Sequence, residues 1–207
     1  MDVFWLEQTL ADVPPGEDWL SAREAASLRT MRVAKRRADW LLGRWTAKNA
    51  LAICCGYPTA QEALRDIEIR ASPSGAPEAF FRNEPSIATI SLSHRAGTGA
   101  CAVALSQALL GCDLELIEPH SDGFAADYFA LEEQALVAKT NAVDRFKLLS
   151  LLWSGKESAL KALREGLRLD TRSLVVSLPS MGESQGDVEL TLTGCPPRSN
   201  HVPWSPL

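Results

Sequence analysis

One sequence pattern occurs twice, once in each half of the chain. Trp45-Thr-Ala-Lys-Asn-Ala-Leu51 matches Trp153-Ser-Gly-Lys-Glu-Ser-Ala-Leu160. Both copies lie in long amphipathic stretches that predict helices, and a predicted strand region follows each helix. A repeated order of helix and strand indicates two halves with similar structure. The sequence therefore predicts an α+β fold of two similar lobes.

Capping, turn and periodicity signals predict the individual elements. Strands are predicted over 3–7, 67–71, 87–93, 100–105, 109–117, 174–178 and 188–193. Helices are predicted after the Ser21–Glu24 capping box and over 35–54, 124–130, 131–139 and 143–165, the last ending at Gly166.

The two lobes are expected to meet near residues 105–118. This gives an N-terminal lobe over 1–108 and a C-terminal lobe over 109–207. A cleft between two such lobes is a common place for a ligand, so the active site is expected between them.

Two acids lie at that junction, in Gly111-Cys112-Asp113-Leu114-Glu115. If this segment is a strand, Asp113 and Glu115 project from the same face. Two adjacent carboxylates repel each other unless a cation lies between them, and oxygen ligands favour Mg²⁺. The alternative is a solvent-facing strand that carries two acids without function.

A further acid and a base lie on the predicted C-terminal helix. Glu157 and Lys161 are four residues apart and share a helix face, so a metal carboxylate and a phosphate-binding ammonium could point to one spot. The alternative is an ordinary surface ion pair. Lys156 faces away by part of a turn but could reach the edge of a ligand. In the first copy of the repeat, Asn49 occupies the position of Glu157, which indicates one metal site.

Basic residues concentrate in one region, although the net charge of the protein is -5. That overall charge argues against general nucleic-acid binding, and the local excess favours one compact anionic ligand. The basic residues are Arg23, Arg29, Arg32, Lys35, Arg36, Arg37, Arg44 and Lys48.

Polar side chains also end the predicted strand 87–93. Ser91, Ser93 and His94 precede a glycine-bearing hairpin loop and could hold phosphate oxygens there. The alternative is a structural histidine in a loop.

These motifs together resemble the Sfp-type 4'-phosphopantetheinyl transferases of the holo-carrier-protein synthase superfamily. The resemblance rests on Gly-x-Asp-x-Glu at 111–115, Trp-Ser-x-Lys-Glu-x-x-x-Lys at 153–161, Ser-His at 93–94 and the arginine-rich segment 36–44, and it spans roughly 29–178. One departure is Gly75-Ala76-Pro77, where the family has a lysine between glycine and proline.

The resemblance implies a pseudo-twofold α+β fold, with a small antiparallel sheet packed on helices in each lobe and coenzyme A between the lobes. It implies that Asp113, Glu115 and Glu157 bind Mg²⁺ and that Lys161 contacts the pyrophosphate. His94, Arg37 and Arg44 are then expected at the 3'-phosphate. Ser93 and Lys156 are further candidate coenzyme A contacts.

The implied reaction transfers the phosphopantetheine arm of coenzyme A to a serine of an apo acyl or peptidyl carrier protein. The serine attacks phosphorus and 3',5'-ADP leaves, with Glu157 as the expected base and Asp113 and Lys161 as catalytic partners. Carrier proteins are expected to dock on segment 124–139, where Phe124, Tyr128, Phe129 and Leu136 offer apolar contacts or belong to the core.

Two other functions remain open from the sequence. The scaffold could be a non-catalytic coenzyme A or carrier-protein binding module, or an Mg²⁺-dependent nucleotide phosphohydrolase. The five cysteines lack metal-ligand spacing, the N-terminus lacks a signal-peptide pattern, and apolar runs are too short to cross a bilayer. We therefore expect a cytoplasmic protein without membrane or nucleic-acid partners.

Overall fold

The computed structural model describes residues 2–177 and 189–192. The chain divides into two compact units, Met1–Leu114 and Glu115–Leu207. The sequence places this boundary at 108/109 instead. Residues 112 and 114 stay with the first unit because their backbone amides donate to serine hydroxyls of that unit.

The first unit combines antiparallel sheets with helices. Its strands are β1 (Val3–Thr9), β2 (Ile67–Ala71), β3 (Pro77–Phe81), β4 (Glu84–Pro85), β5 (Thr89–Arg95) and β6 (Thr98–Ala104). They form two sheets, with the strand orders β1–β6–β5 and β2–β3–β4. The helices are α1 (Ala22–Arg29), α2 (Ala34–Cys55) and α3 (Gln61–Leu64).

The second unit is mostly helical. Its helices are α4 (Phe124–Tyr128), α5 (Leu131–Lys139) and α6 (Ala142–Leu163). Its strands β7 (Leu174–Ser177) and β8 (Glu189–Leu192) pair antiparallel. The predicted α+β class with small antiparallel sheets is confirmed, and the symmetry between the halves stays a prediction.

The long helix α2 packs on the sheet of β1, β6 and β5. Close approach is possible because Gly99 has no side chain: a Cβ there would lie 2.9 Å from Leu42 Cγ. The helix predicted over 35–54 is observed as Ala34–Cys55, and Gly56 caps its end in a left-handed conformation with φ of 69°. A glycine directly after the helix is a local signal for this end.

The end of α6 differs from the prediction. Arg164, not Gly166, takes the left-handed position, with φ of 58°. Its amide donates to the carbonyls of Leu160 and Lys161, so the last turn closes before the glycine is reached. Gly166, with φ of 55°, lies in the following 3-10 turn Gly166–Arg168.

The β5–β6 hairpin is tighter than predicted. His94 and Arg95 still pair with β6, opposite Gly99 and Thr98. The turn consists of Ala96 and Gly97, whose φ angles are 49° and 82°. Positive φ at both turn residues matches the twist of the flanking strands, so the two strands stay paired right up to this two-residue turn.

Both units contain the same buried ion pair, and this is the structural counterpart of the sequence repeat. In the first unit Lys48 of α2 contacts Glu24, at 2.5 Å, and donates to the carbonyls of Trp19 and Leu64. Glu24 belongs to the capping box of α1, and its other oxygen accepts from the amide of Ile69 in β2. One carboxylate therefore ties a helix start to a strand and to α2.

The second unit repeats each of these contacts. Lys156 of α6 lies 2.8 Å from Glu133, which accepts from Ala130 at the start of α5. The other Glu133 oxygen accepts from the amide of Val176 in β7. Lys156 also donates to the carbonyls of Thr171 and Leu174. We call these two arrangements the Lys48–Glu24 clamp and the Lys156–Glu133 clamp.

Candidate active site

The segment that carries Asp113 lies against the serine side chains of β5. The amide of Cys112 donates to Ser91 Oγ at 2.9 Å, and the amide of Leu114 donates to Ser93 Oγ at 3.1 Å. Ser91 and Ser93 project from one face of β5, because side chains alternate along a strand. The segment therefore crosses that face and is held by side chains.

The predicted strand 109–117 is therefore wrong. These residues are all described, and they form no strand. Their alternating pattern is that of a strand, but the amides of Cys112 and Leu114 find hydroxyl acceptors instead of a backbone ladder. Strand alternation therefore does not align Asp113 with Glu115.

Asp113 is held by the same serine. Ser93 Oγ donates to Asp113 Oδ1 at 2.9 Å, and Oδ2 is shielded from solvent. The Ser93 hydroxyl thus bonds both the carboxylate and the next amide along the chain. Ser93 therefore orients Asp113, and its contact with coenzyme A stays a prediction.

Glu115 is held by a group of the second unit. The indole Nε1 of Trp153 donates to Glu115 Oε1 at 3.2 Å. One residue further along, the carbonyl of Leu116 accepts from Ser150 Oγ at 2.8 Å. Helix α6 therefore anchors the start of the second unit at two points, and one of them is the carboxylate.

Glu157 and Lys161 lie on α6, as predicted, and both are half-buried. Trp153, Glu157 and Lys161 are spaced four residues apart, so they follow one face of the helix. The indole of Trp153 reaches Glu115 from that face. The second unit thus presents Glu157 and Lys161 on the side of α6 that carries the contact to Glu115.

Lys156 differs from the prediction. Its side chain is fully buried, with 0% exposure, and its ammonium is engaged by Glu133 and two backbone carbonyls. Burial lowers the pKa of Lys156, and Glu133 opposes that change. Since the ammonium lies inside the second unit, Lys156 stabilises the fold instead of contacting coenzyme A.

The basic residues expected at the 3'-phosphate have different surroundings. Arg37 is half-exposed, 2.7 Å from Glu17, and donates to the carbonyl of Leu28. Arg44 packs over the ring of Trp40, at 4.6 Å, and burial lowers its pKa. Among the described residues, the buried Nε of Arg44 makes no hydrogen bond, but it lies 4.0 Å from Glu24 Oε1 in an ion pair.

His94 is exposed near the end of β5, where its backbone pairs with Gly99. This position leaves the imidazole accessible to an anionic ligand. The predicted contact of His94, Arg37 and Arg44 with one phosphate stays a prediction.

The donor set fits a hard cation in its chemistry. Asp113, Glu115 and Glu157 offer only carboxylate oxygens, which Mg²⁺ prefers. Two of these carboxylates are oriented by hydrogen bonds from Ser93 and Trp153, as ligands of protein metal sites commonly are. Within residues 2–177 and 189–192, no three His, Cys, Asp or Glu side chains form a ready metal cluster. The shared cation stays a prediction.

The sequence motifs do not reveal the side-chain contacts of Glu24, Glu133 and Trp153. Glu24 belongs to the Ser21 capping box, whereas Glu133 follows Ala130, which has no side-chain acceptor, so a capping box is readable from the sequence only in the first unit. The repeated lysine, together with that capping glutamate, indicates at most the Lys48–Glu24 clamp. Trp153 belongs to the Trp-Ser-x-Lys-Glu motif, but the motif does not indicate which group the indole N–H meets.

The segment 124–139, expected to dock the carrier protein, has both buried and exposed apolar residues. Phe129 is fully buried, and Phe124 packs against it and against Trp153. Tyr128 and Leu136 are 37% and 40% exposed. The buried members belong to the core, so only the exposed ones can meet a partner.

Among the described residues, no helix is both long and apolar enough to span a bilayer.

The second half of the chain is similar to proteins of a known family. Residues 109–201 match the family model described as the 4'-phosphopantetheinyl transferase superfamily. A holo-[acyl-carrier-protein] synthase of Streptococcus sanguinis strain SK36 is 36% identical over 75 residues, which cover 35% of this chain and 61% of that protein. The chain therefore spans less than two thirds of this curated relative.

Solved structures show similar but more distant matches. A holo-(acyl-carrier-protein) synthase from Bacillus anthracis, crystallised in complex with CoA (3',5'-ADP), has a TM-score of 0.42 at 22% identity and covers 49% of this chain and 91% of its own. The Thermotoga maritima holo-[acyl-carrier-protein] synthase has a TM-score of 0.41 at 21% identity, covering 61% of this chain and 73% of its own.

Proposed function

From the match of residues 109–201 to the family model of the 4'-phosphopantetheinyl transferase superfamily, we propose that this chain modifies a carrier protein. It transfers the 4'-phosphopantetheine moiety of coenzyme A to a serine of an apo acyl or peptidyl carrier protein and releases 3',5'-ADP. The observation that carries the proposal is the orientation of two acids of the matched motif, Asp113 by Ser93 and Glu115 by Trp153.

The three carboxylates are the proposed Mg²⁺ ligands. Asp113, Glu115 and Glu157 hold the cation, which when bound supplies charge neutralisation at the pyrophosphate of coenzyme A. The hydrogen bonds from Ser93 and Trp153 keep two of them fixed before the ligand arrives, so little reorganisation is needed during the reaction.

Lys161 and Glu157 act on the reacting groups. The ammonium of Lys161 binds a pyrophosphate oxygen and stabilises the negative charge that grows on the leaving 3',5'-ADP. Glu157, one turn earlier on α6, accepts the proton of the attacking carrier serine. Their common helix face keeps the base and the phosphate-binding ammonium together.

The first unit is proposed to hold the other end of coenzyme A. Arg37, Arg44 and His94 supply positive charge and hydrogen-bond donors for the 3'-phosphate. Arg44 can still donate to a ligand, because its buried Nε has no hydrogen bond among the described residues, although Glu24 Oε1 lies 4.0 Å away. Its guanidinium carbon lies 4.6 Å from the centre of the Trp40 ring.

The carrier protein is proposed to dock on segment 124–139 of the second unit. Tyr128 and Leu136 provide exposed apolar surface there, and Leu131 is 79% exposed. We place the protein in the cytoplasm, where coenzyme A and carrier proteins occur and thiols such as Cys101 stay reduced.

The direct test is incubation with coenzyme A, Mg²⁺ and a panel of apo carrier proteins, followed by intact mass. We expect a carrier to gain the mass of one phosphopantetheine arm, and its serine-to-alanine variant to gain none. Release of 3',5'-ADP without any carrier would indicate a nucleotide phosphohydrolase instead. Binding of coenzyme A without turnover on any carrier would indicate a non-catalytic module.

A further inference from the structure

Helix α6 contacts the proposed metal site through a residue that is not a ligand. Trp153 is half-buried, and its indole Nε1 donates to Glu115 Oε1 at 3.2 Å. Glu115 is the first residue of the second unit and lies in a stretch without regular secondary structure. A carboxylate on such a stretch has many accessible rotamers unless a neighbour restricts them.

The indole itself is held in place by aromatic neighbours. Trp153 packs edge-on against Phe124 and Tyr128 of α4, with ring centroids 5.5 Å and 4.9 Å away. Phe124 is stacked on His120 at 4.1 Å and packs edge-on against the buried Phe129. These contacts leave the indole little freedom to rotate, so the direction of its N–H is fixed by packing.

We infer that Trp153 is a positioning residue that holds Glu115 in the orientation needed to bind the divalent cation. The inference rests on the proposed function, because it takes Glu115 as a ligand. A hydrogen bond to one oxygen of a carboxylate fixes its rotamer and directs the group toward the cation. Loss of such a supporting bond typically weakens metal binding by about 10- to 100-fold.

The chain offers a matched control for this bond. Trp5 Nε1 also donates to a glutamate, Glu7 Oε1, at 2.9 Å, but in β1 of the first unit. Both bonds join an indole to a carboxylate, and only the bond of Trp153 involves a proposed ligand. Trp153→Phe and Trp5→Phe therefore remove the same kind of bond while each keeps an aromatic ring.

The test measures Mn²⁺ binding directly, from the electron paramagnetic resonance signal of free Mn²⁺ in the presence of coenzyme A. We expect Trp153→Phe to weaken binding by about 10-fold and Trp5→Phe to leave it unchanged. The transfer rate of Trp153→Phe recovers at saturating Mg²⁺, because the ligands are intact and only their orientation is loosened. A purely structural loss would not be recovered by added metal.

Glu115→Gln separates this inference from the proposed function. If Glu115→Gln loses Mn²⁺ binding while Trp153→Phe binds like the unmodified protein, the positioning role is overturned and the metal site stands. If Glu115→Gln also binds normally, the proposed site itself is wrong, and the role of Trp153 falls with it.

The unmodified protein provides a second measurement in case Trp153→Phe does not fold. The indole N–H resonance that shifts in Glu115→Gln belongs to Trp153 by the structure. We expect substoichiometric Mn²⁺ to broaden this resonance and the same concentration of diamagnetic Mg²⁺ to leave its line width unchanged. A resonance that stays sharp while Mn²⁺ is bound would contradict the inference.

Discussion

Ser93 and Asp113 illustrate how single residues prepare the proposed site. The Ser93 hydroxyl donates to Asp113 Oδ1 and accepts from the amide of Leu114. A neighbouring serine, Ser91, accepts from the amide of Cys112 and is buried, whereas Ser93 is half-buried. Of these two serines, Ser93 is the one that bonds a carboxylate among the described residues.

This difference gives a paired prediction. Ser93→Ala should weaken Mg²⁺ activation by about 10-fold, because Asp113 loses its orienting donor. Ser91→Ala should cost about 1 kcal/mol of stability through its lost bond and leave the Mg²⁺ requirement unchanged. Transfer rates against Mg²⁺ concentration and urea unfolding measure the two effects. An equal change in Mg²⁺ requirement for both variants would show that the serines only hold the segment.

Asp170 gives a prediction about acid stability. It accepts from the backbone and side chain of Arg172 at the start of the turn Thr171–Ser173, and these bonds lower its pKa from 3.8 to about 2. Because the folded-state pKa lies below the unfolded one, its stabilisation is fully present above pH 3.8 and is lost as pH falls through about 2.

Urea unfolding of the unmodified protein and of Asp170→Asn, measured between pH 5 and pH 2, tests this assignment. The stability difference between the two proteins should stay constant above about pH 4 and shrink toward zero near pH 2. A difference that does not vary with pH would mean that the Asp170 carboxylate titrates normally.

Among the helices and strands, the sequence predicts those whose positions are set by hydrophobic periodicity and capping residues. Helix α2 and strand β2 lie where their patterns place them, because the apolar faces and the Gly56 cap are local signals. Segment 109–117 was misassigned because its partners are side chains of β5, which no local pattern reveals. Lys156 was misassigned for a related reason: its partner Glu133 lies on another helix.

The two clamps are the element-scale feature with the largest expected effect on stability. Each joins a long helix, a helix start and a strand, with both charges nearly inaccessible to solvent. Removing one partner leaves an uncompensated buried charge. Glu133→Gln and Glu24→Gln should therefore each destabilise the protein by about 3–5 kcal/mol, measured by denaturant unfolding.

An exposed ion pair of the same kind serves as the control. Lys35 and Asp39 on α2 lie 2.8 Å apart, and the lysine side chain is 86% exposed. Asp39→Asn should cost no more than about 0.5 kcal/mol, since solvent screens this pair. Similar losses for Asp39→Asn and Glu133→Gln would refute the structural role of the clamp.

At the scale of the whole molecule, the two copies of the sequence repeat share a buried lysine–glutamate pair but differ at the residue proposed to bind the cation. Both units have a long helix with a clamped lysine. The next residue is Glu157 in the second unit and Asn49 in the first, where Asn49 is buried and donates to the carbonyl of Trp45. The amide completes the packing of α2 and supplies no negative charge for a cation.

We therefore predict one divalent cation per chain. Equilibrium binding of Mn²⁺ in the presence of coenzyme A should saturate at one ion, and Glu157→Gln should abolish that site. Asn49→Ala should leave the stoichiometry unchanged, whatever its effect on stability. Two ions per chain, or one ion that survives Glu157→Gln, would contradict the asymmetry between the two units.

The transfer reaction of Glu157→Gln tests the central claim most directly, because Glu157 is both a proposed ligand and the proposed base. The exposed Glu165, just beyond the end of α6, provides the control. With coenzyme A, Mg²⁺ and an apo carrier protein, Glu165→Gln should give a carrier with full mass gain. Glu157→Gln should give almost none while unfolding like the unmodified protein. Near-normal transfer by Glu157→Gln would contradict the account.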